Sequence, residues 1–346
     1  MKVLYLTPWY PSEQDAMSGL FVQKHVEAVR AQDVDVRVIF SQTWKETWRQ
    51  WRALRREGWW PDLVQLNVIQ KQGLLALWLK KRYGIPYVII EHWTGYLPEN
   101  LSVRTNGLHT SFMKRVCQEA EVVMPVSEHL GKAMQALGFK AKRWEVINNV
   151  VDDFFFDTTN QKEKNSDKKT LLNITCFDEP HKNVKGLLRA AKALSERRQD
   201  WRLVLVGTGV DYEDVRAFAD SLHLPENLLS WTGELTPRQV AEEFDKADIF
   251  VLSSNYENAP VVISESLAKG VPVISTRVGG ISEMVNDKSG VLIKPGNDEE
   301  LLQAMEKMLD NYQKYDSKAI RQEGAKYSFA TVGKQLKHIY EQALGS

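Results

Sequence analysis

What most constrains this chain is a repeated alternation of short apolar strand runs with longer stretches of helical periodicity. In the first 150 residues the runs 2–7, 34–40, 63–69, 86–90, 122–126 and 145–147 read as strands. Helical patterns lie between them, such as the stripe Phe21, Val22, Val26 and Val29. A second series follows, with strand runs at 171–176, 203–206, 249–252, 273–275 and 291–293. Strands joined through helices run parallel and are covered on both faces, which predicts an α/β fold. The stretch 157–170 holds no large apolar side chain and reads as a linker or an exposed loop. From Tyr327 the spacing of Phe329, Val332, Leu336, Ile339 and Ala343 predicts a terminal helix with one apolar face. A length of 346 residues suits two domains. Doubly wound sheets of this kind bind ligands at the carboxyl ends of their strands, so the expected site is a cleft that two such domains face.

Other features narrow the class. No apolar run approaches the ~18–20 residues that span a bilayer, and MKVLYLTPWYP at the start lacks the form of a signal peptide. Cys117 and Cys176 are the only cysteines, too few for a disulfide framework or a four-cysteine zinc site, so a cytoplasmic setting is expected. Net charge is zero but divided: residues 1–150 hold 20 basic and 14 acidic side chains, leaving the rest with a matching acidic excess. The basic half is suited to an anionic surface or ligand. No repeat of solenoid length occurs.

The most informative segment is LSSNYENAPVVISESLAKGVPVIS, residues 252–275. A strand ends near Ser253, and a turn carries Asn258 and Ala259. Pro260 fits the first position of a helix running to about Lys269. Such a helix start, through Val261 and Val262, offers free N–H groups and a positive dipole end to a diphosphate. Glu257 lies just before the helix and Glu265 eight residues on, where its carboxylate suits two vicinal ribose hydroxyls.

These residues resemble the E-x7-E region of the retaining GT-B glycosyltransferases of family four, also called glycosyl transferases group 1. TRVGGISEMV at 276–285, GVLIKPGN at 290–297 and EVINNVVDDFF at 145–155 resemble the same family at matching distances. The resemblance implies a GT-B fold: two Rossmann-like domains facing a cleft, an acceptor domain over 1–155, a nucleotide-sugar donor domain over 165–326, and a last helix, 327–346, crossing back to the first domain. It implies retaining transfer of a sugar from a nucleotide diphosphate to a glycan or lipid-linked acceptor, in cell-surface polysaccharide or glycolipid synthesis. It assigns Glu257, His92 and Lys182 to catalysis. Gly19, Gly207, Gly233, Asn258, Ala259, Pro260, Val261, Val262 and Glu265 fall to donor binding. One departure stands out. The family's arginine five residues before the lysine is Phe177 here, so a phosphate-binding cation is either missing or supplied from elsewhere, with Lys185 and Arg277 as the candidates.

Competing signals fail on spacing. LVLVGTGVDY at 203–212 has Gly207 and Gly209 but Tyr212 where a dinucleotide fingerprint needs a third glycine. Gly131-Lys132 and Gly333-Lys334 lack the following Ser or Thr of a phosphate loop. Asp33-Val34-Asp35 precedes a strand rather than ending one, and no His/Cys cluster has ligand spacing, so neither metal nor cofactor is expected, nor a nucleic-acid partner. The alternatives kept open are an epimerase or phosphorylase of the same fold, a nicotinamide oxidoreductase, and a catalytically silent binding subunit. Finally, WKETWRQWRALRREGWW at 44–60 places Trp44, Trp48 and Trp51 within about 40° on a helix, beside five basic residues. That pattern suits peripheral membrane contact, an acceptor site, or tryptophans packed on the core.

Overall fold

The computed structural model of the chain describes residues 1–13, 18–103, 107–157 and 168–345. Most of the stretch 157–170, and part of the loop after the first strand, lie outside the described residues. In chain order the first elements are β1 (Lys2–Thr7), α1 (Leu20–Arg30), β2 (Asp35–Phe40), α2 (Trp44–Arg56), β3 (Leu63–Asn67), α3 (Gly73–Tyr83), β4 (Tyr87–Glu91), α4 (Leu108–Glu119), β5 (Val123–Pro125) and α5 (Glu128–Ala136). Then come β6 (Lys169–Ile174), α6 (Glu179–Lys182), α7 (Val184–Ser195), β7 (Trp201–Val206), α8 (Tyr212–Ser221), β8 (Leu229–Gly233), α9 (Pro237–Lys246), β9 (Ile249–Leu252) and α10 (Val261–Lys269). The chain closes with β10 (Val273–Thr276), α11 (Ile281–Met284), β11 (Gly290–Ile293), α12 (Asp298–Asn311), α13 (Ser317–Gly324) and α14 (Phe329–Gly345).

Two compact units result, Met1–Val150 with Tyr327–Ser346, and Val151–Lys326. The first holds a parallel sheet in the order β2-β1-β3-β4-β5. Its central strands are buried along nearly their whole length, which is why they read as continuous apolar runs rather than alternating ones. The terminal helix α14 lies against α1 in this unit, burying Val332, Leu336 and Ile339. Its buried Tyr340 hydroxyl meets that of Tyr5 at 2.7 Å and donates to Gln65 Oε1 at 3.0 Å, so the docked helix is fixed by hydrogen bonds as well as by apolar contact. The second unit holds a parallel sheet ordered β11-β10-β9-β6-β7-β8. Its core joins Leu187, Leu188 and Leu194 of α7 and Met305 and Met308 of α12 to Trp201 and Leu203 of β7.

Two strand readings are corrected. Residues 145–147 form no strand. Trp144 makes one isolated bridge to Val123, and Glu145 and Ile147 only donate to the carbonyls of Val123 and Pro125 before the chain leaves the sheet. Conversely β8, at the sheet edge, had no apolar run to announce it: its side chains alternate between half-buried and exposed, and a register shift interrupts its pairing with β7. Pro260 also differs in detail. It stands immediately before α10, as the residue that caps it, with extended backbone.

Candidate functional site

In the second unit three loops that leave the carboxyl ends of β6, β9 and β10 meet around Glu257. Ser253, after β9, donates its hydroxyl to the carbonyls of Lys182 and Asn183 (3.2 and 3.0 Å), and the Asn255 amide donates to His181 O at 2.8 Å. Gly280, after β10, donates to the Asn258 carbonyl at 2.8 Å. Gly279 has φ +50°, and a side chain there would collide with the Glu257 carbonyl, so only glycine permits this approach.

Glu257 is buried and accepts two hydrogen bonds at Oε1, from Lys182 Nζ at 2.6 Å and Ser254 Oγ at 2.8 Å. His181 Nε2 stands 3.7 Å from Oε2, and its ring stacks on Tyr256 at 4.2 Å and 6°. Burial opposes ionisation of this carboxyl, but Lys182 and His181 overcome it and push the group down to about 2. Lys182 and Glu257 are thus one ion pair, a relationship that sequence spacing did not reveal because 75 residues separate them.

Just beyond Glu257 lie Asn258, Ala259 and Pro260, then the first turn of α10. Helix geometry leaves the N–H groups of Val261 and Val262 without intrahelical acceptors, facing the end of the helix where the dipole is positive. Glu265 sits about one turn on, as the fifth residue of α10, and is buried, consistent with its apolar sequence surroundings. Gly207 opens the loop after β7 with φ +122°, where a side chain would strike the Thr175 carbonyl. Gly233 closes β8 with φ +72° and open space around it; its carbonyl accepts from the Gly207 amide at 2.8 Å.

Phe177 is fully buried, edge-on to Tyr212 at 5.1 Å and tilted against Trp231 at 5.8 Å. The position has become part of the core rather than merely losing a charge. Tyr212, which breaks the dinucleotide pattern, is one wall of the same aromatic cluster. Of the two candidates for the missing cation, Lys185 is paired with Asp214 at 2.5 Å. Arg277 is exposed on the loop after β10, two residues before Gly279, with no carboxylate partner among the described residues.

In the first unit Gly19 precedes α1 with φ +69°, and a side chain there would clash with the backbone of Trp9 and Tyr10. His92 follows β4 and packs on Phe21 at 4.3 Å and near His25 at 5.7 Å. Desolvation, reinforced by His25, holds the His92 imidazole well below its usual range, so it stays neutral. Three residues escaped sequence reasoning. Glu91 is fully buried and accepts from the amides of Ile69, His92 and Trp93 and from the Tyr96 hydroxyl at 3.0–3.1 Å, which anchors the loop carrying His92. Its signal was a carboxylate ending an apolar run. Ser254 and His181 had no signal beyond their nearness to Glu257 and Lys182.

Among the described residues no group of three or more His, Cys, Asp or Glu is placed to hold a metal ion. No described helix is long and apolar enough to cross a membrane.

Comparison with known proteins bears on both units. A family model described as glycosyl transferases group 1 matches residues 155–326, and one described as glycosyltransferase family 4 matches residues 1–153. The Bacillus subtilis glycosyltransferase TuaC, named for teichuronic acid biosynthesis, is 24% identical over 88% of this chain and 88% of its own. Sucrose-phosphate synthase from Thermosynechococcus elongatus superposes with a TM-score of 0.79 at 16% identity, covering 99% of each chain. The Anabaena protein HepE, solved in complex with UDP-glucose, gives 0.76 at 19% identity over 99% of this chain and 100% of that one. These likenesses establish the GT-B fold.

Proposed function

Since the chain belongs to the group 1 glycosyltransferases, we propose that it moves a hexosyl group, with retention, from a nucleotide-diphosphate-sugar to a glycan or lipid-linked acceptor. The observation that carries this reading is the arrangement at the carboxyl edge of the second sheet. A buried, ionised Glu257, its Lys182 partner and the start of α10 lie together, with Glu265 farther along the same helix.

In the proposed reaction the sugar C1–O bond to the diphosphate breaks and a C1–O bond to the acceptor hydroxyl forms on the same face. The acceptor proton passes to an oxygen of the departing diphosphate. Lys182 and the N–H groups opening α10 stabilise the charge that grows on that diphosphate. Glu257 orients the sugar and offsets positive charge developing at its ring. Glu265 accepts from the ribose hydroxyls, and Arg277 supplies the second cation in place of Phe177. Gly19 lets backbone approach the phosphates, and His92, held neutral, donates or accepts a hydrogen bond at a sugar hydroxyl. The first unit takes the acceptor, the second the donor. The setting is cytoplasmic, with peripheral membrane contact through residues 44–60, and the product is a surface polysaccharide or glycolipid.

The test is a thermal-shift series with nucleotide diphosphates and nucleotide-sugars, followed by product analysis with and without acceptor in the presence of excess chelator. Concentration-dependent stabilisation and chelator-resistant transfer with retained anomeric configuration are expected. Conversion of the donor without any acceptor, a strict divalent-metal requirement, or a nicotinamide nucleotide as the stabilising ligand would overturn the reading.

A further inference from the structure

The tryptophan-rich segment folds into more than a decorated helix. Thr43 caps α2, and from there Trp44, Trp48, Trp51 and Arg55 form one stripe of the helix while Lys45, Arg49, Arg52 and Arg56 form the next. The first stripe turns toward the body of the unit. Trp51 is buried, and Trp48 meets Trp78 of α3 edge-on at 5.0 Å. The second stripe is exposed along its whole length.

The rings continue across both helices as one connected series. Trp44 stacks on Trp48 (5.6 Å), Trp78 meets Tyr83 (5.2 Å), Tyr83 meets Trp60 (4.9 Å), and Trp60 meets Trp51 (5.8 Å). Guanidinium groups lie over this series: Arg55 3.1 Å from the Trp60 centroid, Arg52 5.7 Å from Trp48, and Arg82 5.1 Å from Tyr83. Arg52 and Arg82 stay exposed beside their rings, while Arg55 is half-buried against Trp60; a cation within reach of a ring face is attracted to it. Trp44, Leu74 and Tyr83 remain 37–44% exposed, large apolar groups set among cations. Residues 44–83 hold nine basic and three acidic side chains, so the whole six-charge excess of the first 150 residues lies in this one segment.

We infer that α2 and α3 together form a docking surface for an anionic lipid bilayer, with Lys71 just before the second helix and Lys81 and Arg82 at its end as necessary to it as the stripe on α2. The inference deepens the proposed function and rests on it, since it makes the acceptor one presented at a lipid surface. Charge complementarity selects the occupant: cations attract the anionic headgroups, and exposed tryptophan, tyrosine and leucine enter the headgroup layer, where rings with one polar edge are favoured. A soluble acidic partner would use the cations but gives no use for exposed Trp44 and Leu74. Both helices begin at the carboxyl edge of the sheet, so a bilayer lying against them reaches the edge that bears Gly19 and His92.

The experiment is vesicle co-sedimentation of the whole chain. Equimolar phosphatidylcholine–phosphatidylglycerol vesicles should bind it and pure phosphatidylcholine vesicles should not, and high salt should release most of it. The triple variant Lys71→Gln, Lys81→Gln, Arg82→Gln leaves α2 intact and should lose about a hundredfold in partitioning, at about fivefold per charge. Trp44→Ser with Leu74→Ser should remove the share that resists salt. Thermal shift by UDP reports on the second unit in each variant. Wild-type protein that ignores anionic vesicles, a triple variant that binds them as well as wild type, or binding to a soluble polyanion such as heparin without vesicle binding would each overturn the inference. If UDP still binds in those cases, the transferase reading stands without the docking surface. Vesicle binding with no response to any nucleoside diphosphate would instead support the docking surface and count against the donor site.

Discussion

The ammonium of Lys182 and the carboxylate of Glu257 are 2.6 Å apart in a nearly buried site, where the cation offsets the burial that opposes ionisation of the carboxyl. Removing one partner therefore has unequal consequences. Lys182→Met strands a buried carboxylate and is expected to cost about 3–5 kcal/mol of stability as well as binding of a nucleoside diphosphate, with UDP as the probe. Glu257→Gln retains a neutral hydrogen-bond acceptor for Lys182 and Ser254; it should bind UDP within a few-fold of wild type while transfer falls about 10²–10³-fold. Calorimetric titration and a transfer assay separate the two, and a Glu257→Gln enzyme with wild-type turnover would remove Glu257 from the mechanism.

The same pair predicts how stability responds to acid. The Glu257 carboxyl titrates at about 2 when folded, against an ordinary 4.5. A carboxyl depressed by folding adds stability that is complete above the unfolded value and is lost as pH falls toward the folded one. Urea midpoints should thus drop between about pH 4.5 and 2, and the drop should be shallower in Glu257→Gln. Parallel curves for the two proteins would show that the ion pair contributes nothing to acid sensitivity.

Glu265 is expected to act on nucleotide rather than on sugar. Glu265→Ala should weaken UDP by about 1.5–3 kcal/mol, the range for a hydrogen bond to a charged group, and should weaken 2′,3′-dideoxy-UDP much less. Equal losses for both ligands would mean that the residue supports α10 without touching ribose.

Phe177 invites the opposite experiment, restoring the arginine that the family pattern has at this position. Because the ring is enclosed by Tyr212 and Trp231, Phe177→Arg should not regain a phosphate contact. It should cost at least about 3 kcal/mol through lost packing, to which desolvation of the guanidinium adds. Arg277→Gln should instead lower UDP affinity with the fold intact. A stable Phe177→Arg protein with tighter UDP binding would show that the aromatic cluster opens readily.

The residues by themselves determined the alternation of parallel strands and helices, the single-faced terminal helix and the Glu257–Glu265 spacing on one strand–turn–helix, because these depend on periodicity and short-range chemistry. The edge strand Leu229–Gly233 and the false strand at 145–147 were illegible for the converse reason: sheet membership there rests on a neighbour's free edge, not on local apolar content. Only the tertiary structure paired Lys182 with Glu257, moved Phe177 from a vacant phosphate position into the core, and tied Lys185 to Asp214. It also split the tryptophans. Sequence spacing aligned Trp44, Trp48 and Trp51 on one helix face, but which of them faces solvent is decided by what packs there: Trp78 of α3 against Trp48, and Trp60 against Trp51. Local sequence sets which side chains share a surface; what covers that surface is set by contacts between elements far apart in the chain.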